Sequence, residues 1–231
     1  MSFTPPRRGP LTRRATVVAS TVLMLLSTVL VGNAAAHGSA IDPASRHYGC
    51  WERWGSNFQD PAMQTEDPMC WQAWQANSNA MWNWNGLYRT YVNGDHQGAI
   101  PDGQLCSAGQ TQDGRYSAMD VPGEWHATEL DNDFTVTVQD QAEHGADYYR
   151  IYVTEQGYDP TTEPLGWDDL ELVAETGVIA PGEGETAGSG GGVLVEIEAS
   201  APGRTGRHIV YMIWQASHMD QVFYSCSDVI F

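Results

Sequence analysis

Along the second half of the chain, apolar residues recur at every other position. They are Phe134, Val136 and Val138; Tyr149, Ile151 and Val153; Val193, Val195 and Ile197; Ile209, Tyr211 and Ile213; and a final run from Phe223 to Phe231. Alternation at period two turns one face of a strand into a core and the other away from it. Several such runs, broken by turn residues, predict strands packed as a β-sandwich. Gly177 to Gly192 is rich in Gly and Glu without an apolar period, and reads as a mobile loop.

Residues 49–105 have a different texture. Tryptophans stand at positions 51, 54, 71, 74, 82 and 84, and Asp67-Pro68 offers a capping residue followed by a first-turn proline, the opening of a short helix. Segments of this length inside a compact domain are usually functional or disordered, and six tryptophans argue against disorder. The pattern as a whole predicts a mainly β chain, an immunoglobulin/fibronectin III-like β-sandwich with a long Trp-rich, partly helical loop insertion.

The N-terminus reads as a secretory signal. Arg7, Arg8, Arg13 and Arg14 precede an apolar stretch from Val17 to Val31, which leads to Ala34-x-Ala36. This order predicts a signal peptide over 1–36 and a single folded domain over 37–231, exported by the Sec or the Tat route to the extracellular medium. The apolar stretch is shorter than the roughly 20 residues a bilayer span requires.

Composition narrows the partners. Without the leader, seven arginines and no lysine face 29 acids, a formal charge of about −22. Such a surface repels phosphate backbones and anionic lipid, which argues against nucleic acid and membranes, whereas a neutral polymer meets no such penalty. Four cysteines in an exported chain predict two disulfides, for which three pairings exist. The favoured pairs are Cys50–Cys70, bracketing a Trp- and Pro-rich loop, and Cys106–Cys226, closing the β-rich half. The acids are too many and too scattered to single out a hydrolase pair.

Cleavage after Ala36 would make His37 the first residue, with an α-amine and an imidazole on one residue. One more imidazole completes a T-shaped set of three nitrogens, which suits copper better than tetrahedral zinc. That second ring must come from His47, His96, His126, His144, His208 or His218. Among these His144 stands out, in a short loop between two predicted strands where a rigid sandwich holds a residue in place.

Six motifs, in order along residues 37–231, carry a resemblance: His37-Gly38-Ser39, Asp67-Pro68-Met69-Cys70-Trp71, Asn79-Ala80-Met81-Trp82-Asn83-Trp84-Asn85-Gly86, Pro101-Asp102-Gly103-Gln104-Leu105-Cys106, His144-Gly145-Ala146-Asp147-Tyr148 and Cys226-Ser227-Asp228-Val229. Together they resemble the bacterial lytic polysaccharide monooxygenases of auxiliary activity family 10, formerly carbohydrate-binding module family 33. The likeness is greatest to the cellulose-active actinobacterial branch, whose members include mixed C1/C4 oxidisers that often also attack chitin. The resemblance implies one copper ion held by His37 and His144, the histidine brace. It further implies Phe223 near one axial position, Ala142 crowding the other, and Gln221 beside a copper-bound ligand. For the substrate surface it implies Asn85 as a position favouring mixed C1/C4 attack; Trp82 is the expected exposed platform, its planar ring suited to the C–H face of a pyranose, while Trp84, two residues on, points the other way into the core if the stretch is extended. Arg46, His47, Gln141 and Glu143 are the remaining candidates for the rim. The implied activity is oxidative cleavage of crystalline cellulose, and of chitin as a further polymer, by a monomer using O2 or H2O2 and a small-molecule or protein electron donor. The competing reading is a non-catalytic cellulose- or chitin-binding module, which needs surface tryptophans and export but no metal.

Overall fold

The structure is a computed structural model that describes residues 1–4, 37–188 and 190–231. Apart from residues 1–4, the expected signal peptide lies outside the described residues. Two sheets face one another. One contains, in spatial order, β1 (Gly38–Asp42), β4 (Asp133–Asp140), β8 (Val193–Ser200) and β7 (Glu185–Thr186). The other contains β2 (Tyr88–Thr90), β10 (Gln221–Ile230), β9 (Arg207–Ala216), β5 (Ala146–Thr154) and β6 (Leu170–Glu175), with β3 (Thr128–Glu129) alongside β10. All pairings are antiparallel except that of β3 with β10. Every run read from period two is a strand, and the mainly β sandwich is the observed fold.

The core explains why some runs alternate more sharply than others. Between the sheets lie Val136, Val138, Ile151, Val195, Ile197, Met212 and Trp214, all at most 6% exposed. On β8 the outward positions carry Glu196 and Glu198, so its alternation is plain. On β9 both faces are apolar. Val210, Met212 and Trp214 face the opposite sheet, while Ile209, Tyr211 and Ile213, the residues that marked this strand in the sequence, face a second core built from the insertion. The outer face is covered, so nothing on it needs to be polar.

The insertion runs as helices and turns from Arg46 to Asp120, with β2 inside it, and so extends beyond the 49–105 read from composition. Its longest helix, Pro68–Asn77, opens as the sequence predicts. The Asp67 carboxylate accepts the Cys70 N–H at 3.3 Å, and Pro68 takes the first turn, where no N–H is needed. Asp67 also accepts from the Arg53 guanidinium and from Trp54 Nε1, at 2.8 and 2.9 Å. Both favoured disulfides are present, with Cα separations of 5.4 Å for Cys50–Cys70 and 5.3 Å for Cys106–Cys226. The Gly177–Gly192 loop contains more order than its composition suggested. Ile179 bridges Ala146, and Glu185–Thr186 pairs with β8.

Two rim candidates are structural instead. Arg46 is 5% exposed; its Nε donates to Asp228 Oδ2 at 2.7 Å, and one Nη donates to the Met119 carbonyl at 2.6 Å. His47 is buried beneath the helix Arg46–Trp54 against the Ser39 hydroxyl, 3.0 Å from Nε2, and burial depresses its pKa to about 3. Both sit at the first turn of that helix, on the side turned to the sheet, and neither can touch a polymer.

Two outcomes follow for stability. Asp228→Ala leaves the Arg46 guanidinium buried without its counter-ion and is expected to cost about 3–5 kcal/mol, read from urea midpoints. The double substitution Cys106→Ala/Cys226→Ala opens a loop with a sequence separation of 120. It is expected to cost about 4–5 kcal/mol by the same measurement, and an unchanged midpoint would refute the stapling role of this bridge.

Candidate metal centre

His37 is exposed at the start of β1, and its backbone is held in register. The His37 carbonyl accepts the Gln141 N–H at 2.8 Å, continuing the β1–β4 ladder one step beyond the Gly38–Asp140 pair. Gln141 opens the short loop to β5 that carries His144, so a single backbone hydrogen bond ties the two segments together. The loop is shaped by a residue that sequence reading passed over. The buried Asp140 carboxylate accepts the Ala142 N–H at 3.1 Å and the Gly145 N–H at 3.0 Å. Burial raises its pKa, against the pull of those same donors. A carboxylate capping the N–H two residues on is the local signature that marks such a turn in a sequence.

Trp214 joins both sides. Its Nε1 donates to the Gly145 carbonyl at 3.0 Å, and its ring lies so close to Gly38 that an added Cβ would come within 2.7 Å of a ring carbon. That Cβ would also meet the Gln139 carbonyl at 2.2 Å, so residue 38 must be glycine for His37 to stand where it does. Gly145 is constrained in a second way: its φ of +67° lies in the left-handed region, and a Cβ there would sit 2.4 Å from the Ile179 carbonyl. One buried indole thus packs beside the residue after His37 and bonds to the residue after His144.

His144 is half-buried. Its Nε2 is fully shielded from solvent and has no hydrogen-bond partner among the described residues, while its carbonyl accepts from Ser217 Oγ at 2.6 Å. A second imidazole, His218, lies parallel over the ring, with centroids 3.7 Å apart and planes at 14°. Sequence reading treated His218 only as one of six possible ligands, because the β9–β10 turn that delivers it is invisible in local pattern. A shielded, unpartnered imidazole nitrogen fits a metal donor. Among the described residues no group of three or more His, Cys, Asp or Glu side chains is arranged for a metal. The two imidazoles whose segments the Gln141 N–H to His37 carbonyl bond joins are those of His37 and His144.

The other expected positions fall around this pair. Phe223 is buried in β10, stacked on Trp214 at 4.5 Å and tilted against Tyr88 at 5.5 Å. Gln221 opens the same strand opposite Thr90 and is also buried. Ala142 is half-buried and Glu143 is exposed. Gln141 Oε1 accepts from Asn85 Nδ2 at 2.6 Å, which links the insertion to the His144 loop. Beside that bond is a recess of about 280 Å³ bounded by Tyr48, Trp51 and Trp84. Trp82 is 45% exposed, braced edge-on by Phe58 and Trp74, whereas Trp84 is 6% exposed and packs on Trp51 and Tyr48. The two differ not by strand alternation but because Asn79–Trp82 is a helical turn and Trp84 begins another.

Comparison with known proteins agrees with this geometry. The profile of the family described as lytic polysaccharide mono-oxygenase, cellulose-degrading, matches residues 37–229. The solved structure of LPMO10B from Micromonospora aurantiaca is 62% identical, with a TM-score of 0.82 over 84% of this chain and 100% of that one. A solved structure described as cellulose active LPMO CelS2 in complex with copper is 32% identical, with a TM-score of 0.72 over 84% of this chain and 98% of that one. A lytic cellulose monooxygenase of Streptomyces ambofaciens is 36% identical over 97% of this chain, which spans only 62% of that relative's length. The two sheets, the paired histidine segments and a profile match across nearly all of residues 37–231 lead to one conclusion: the chain belongs to the lytic polysaccharide monooxygenases of auxiliary activity family 10.

Proposed function

We propose that this protein is a secreted, copper-dependent monooxygenase that oxidatively cleaves crystalline cellulose at C1 and C4 and also accepts chitin. The observation that carries the proposal is the convergence of the His37 and His144 segments: a backbone hydrogen bond at 2.8 Å and a shared indole hold them, and the shielded His144 Nε2 has no hydrogen-bond partner among the described residues. Export and removal of residues 1–36 add the α-amine of His37, and the three nitrogens then hold one copper ion. Copper bound there supplies one-electron chemistry toward O2 or H2O2, with electrons from an external donor. The protein's part is to position the donors. Trp214 and Asp140 fix the two segments, Phe223 fills the space behind Trp214 with apolar surface, and the α-amine must lose its proton, which costs little near pH 8.

Substrate capture falls to the exposed surface. Trp82 presents a planar apolar face to the C–H groups of a pyranose, already braced by Phe58 and Trp74, so little side-chain entropy is lost on binding. The Asn85–Gln141 pair and the exposed Glu143 supply further neutral and acidic hydrogen-bonding groups for the polymer. The strongly negative surface is compatible with an uncharged polymer, and the protein acts as a monomer without nucleic-acid or membrane partners. Among the described residues, no helix is long and apolar enough to cross a membrane.

The decisive experiment uses protein beginning at His37, loaded with copper and incubated with cellulose or β-chitin, with and without ascorbate. Mass spectrometry is expected to find C1- and C4-oxidised oligosaccharides only with reductant. A single alanine left ahead of His37 is expected to abolish them and weaken copper binding at least a hundredfold. Binding to cellulose without copper uptake or oxidised products would instead establish a non-catalytic module. Trp82→Ala is expected to weaken cellulose binding five- to tenfold, about 1–1.4 kcal/mol, with copper affinity unchanged; equal binding would remove Trp82 from the platform.

A further inference from the structure

Metal-binding histidines are commonly oriented by a hydrogen bond from the ring nitrogen that does not bind the metal. His144 is held differently. The β9–β10 turn grips it at two points, with Ser217 Oγ on its carbonyl at 2.6 Å and the His218 ring flat against its imidazole at 3.7 Å. His218 is not positioned as another ligand of the same ion. A metal on an imidazole nitrogen lies in that ring's plane, and two nearly parallel stacked rings with centroids 3.7 Å apart do not share a plane that could hold it.

We propose that His218 is a positioning residue for the metal: its ring face sets the orientation of His144 and stabilises that ring when it carries a cation. Two physical effects act together. The terminal torsion of a histidine side chain is broad, and a stacked neighbour removes most of that freedom before the metal arrives, so less entropy is lost on binding. A bound Cu(II) then draws electron density out of the His144 ring, and a neutral aromatic face over an electron-poor ring is attracted in the manner of a cation over an aromatic. The second effect is larger for Cu(II) than for Cu(I), so the stack holds the oxidised ion more tightly and lowers the reduction potential. The same turn bears Ser217 and precedes β10, the strand that carries Phe223.

The inference rests on the copper reading of the previous subsection, and its test separates the two. Protein beginning at His37, wild type and with His218→Ala or His218→Phe, is titrated with Cu(II) by calorimetry and examined by EPR, and its potential is measured. His218→Ala is expected to raise the Cu(II) dissociation constant about tenfold and to change the hyperfine pattern. If Cu(I) binding is unaffected, that fold-change corresponds to a potential higher by about 59 mV. His218→Phe keeps a ring face without a nitrogen and is expected to recover affinity and spectrum. Wild-type behaviour from His218→Ala, or no recovery with His218→Phe, overturns the inference. If wild-type protein binds no copper, the copper reading falls by itself. NMR of the metal-free proteins still decides the stack: His144 ring-proton resonances unmoved by His218→Ala overturn it.

Discussion

A guanidinium removed from water loses several kcal/mol of solvation unless an anion and further acceptors meet it. Arg46 is buried on those terms only because β10 brings Asp228 to its Nε and the insertion brings the Met119 carbonyl to its Nη. Three parts of the chain meet at this one side chain: the helix that follows β1, the irregular segment near Asp120, and the last strand. Trp125 closes over the guanidinium at 4.8 Å, and the Cys106–Cys226 bridge lies beside it, 3.8 Å from Arg46 Nη1. The insertion is fastened here to the outer face of β9 and β10, and that fastening makes both faces of those strands core.

The candidate metal centre depends on the same arrangement. With β9 and β10 locked between two apolar layers, Trp214 has one position available, and Phe223 stacks on it from the next strand. A buried indole reaching both Gly38 and Gly145 braces the strand end and the loop against each other. Asp140 completes the arrangement by shaping the loop from beneath. No deep cavity is involved: His37 is exposed at the start of β1, and the His144 loop is tied to it at the end of β4.

Local pattern made the strands legible because a half-buried strand must alternate, as β4 and β8 do. It made the helix Pro68–Asn77 legible because a capping carboxylate and a first-turn proline are chemically specific. No local pattern bears on Arg46 and His47, which were expected at the substrate rim. In sequence they are polar residues near the N-terminal histidine, and only burial beneath the insertion turns them into structural groups. Trp82 and Trp84 were separated correctly into exposed and buried, but by helical turns and not by the alternation of an extended strand. Asp140 left only the weak local signal of a carboxylate two residues before an N–H it caps, and His218 left none, because its ring reaches the His144 loop from a turn distant in sequence.

The sequence alone determined the five alternating strands β4, β5, β8, β9 and β10 but not the short β6 and β7, together with the disulfide chemistry, the acidic composition, and a short set of nitrogen donors that includes His37. These follow from residue type and near neighbours, where sterics and hydrophobic period act over a few residues. Tertiary structure alone decided how the His37 segment is tied to the His144 loop, which polar residues are buried, and by what backbone geometry Trp82 faces solvent while Trp84 is covered. Those outcomes depend on strand register and on what covers each face, and a one-residue slip would send every side chain of a strand to the other side.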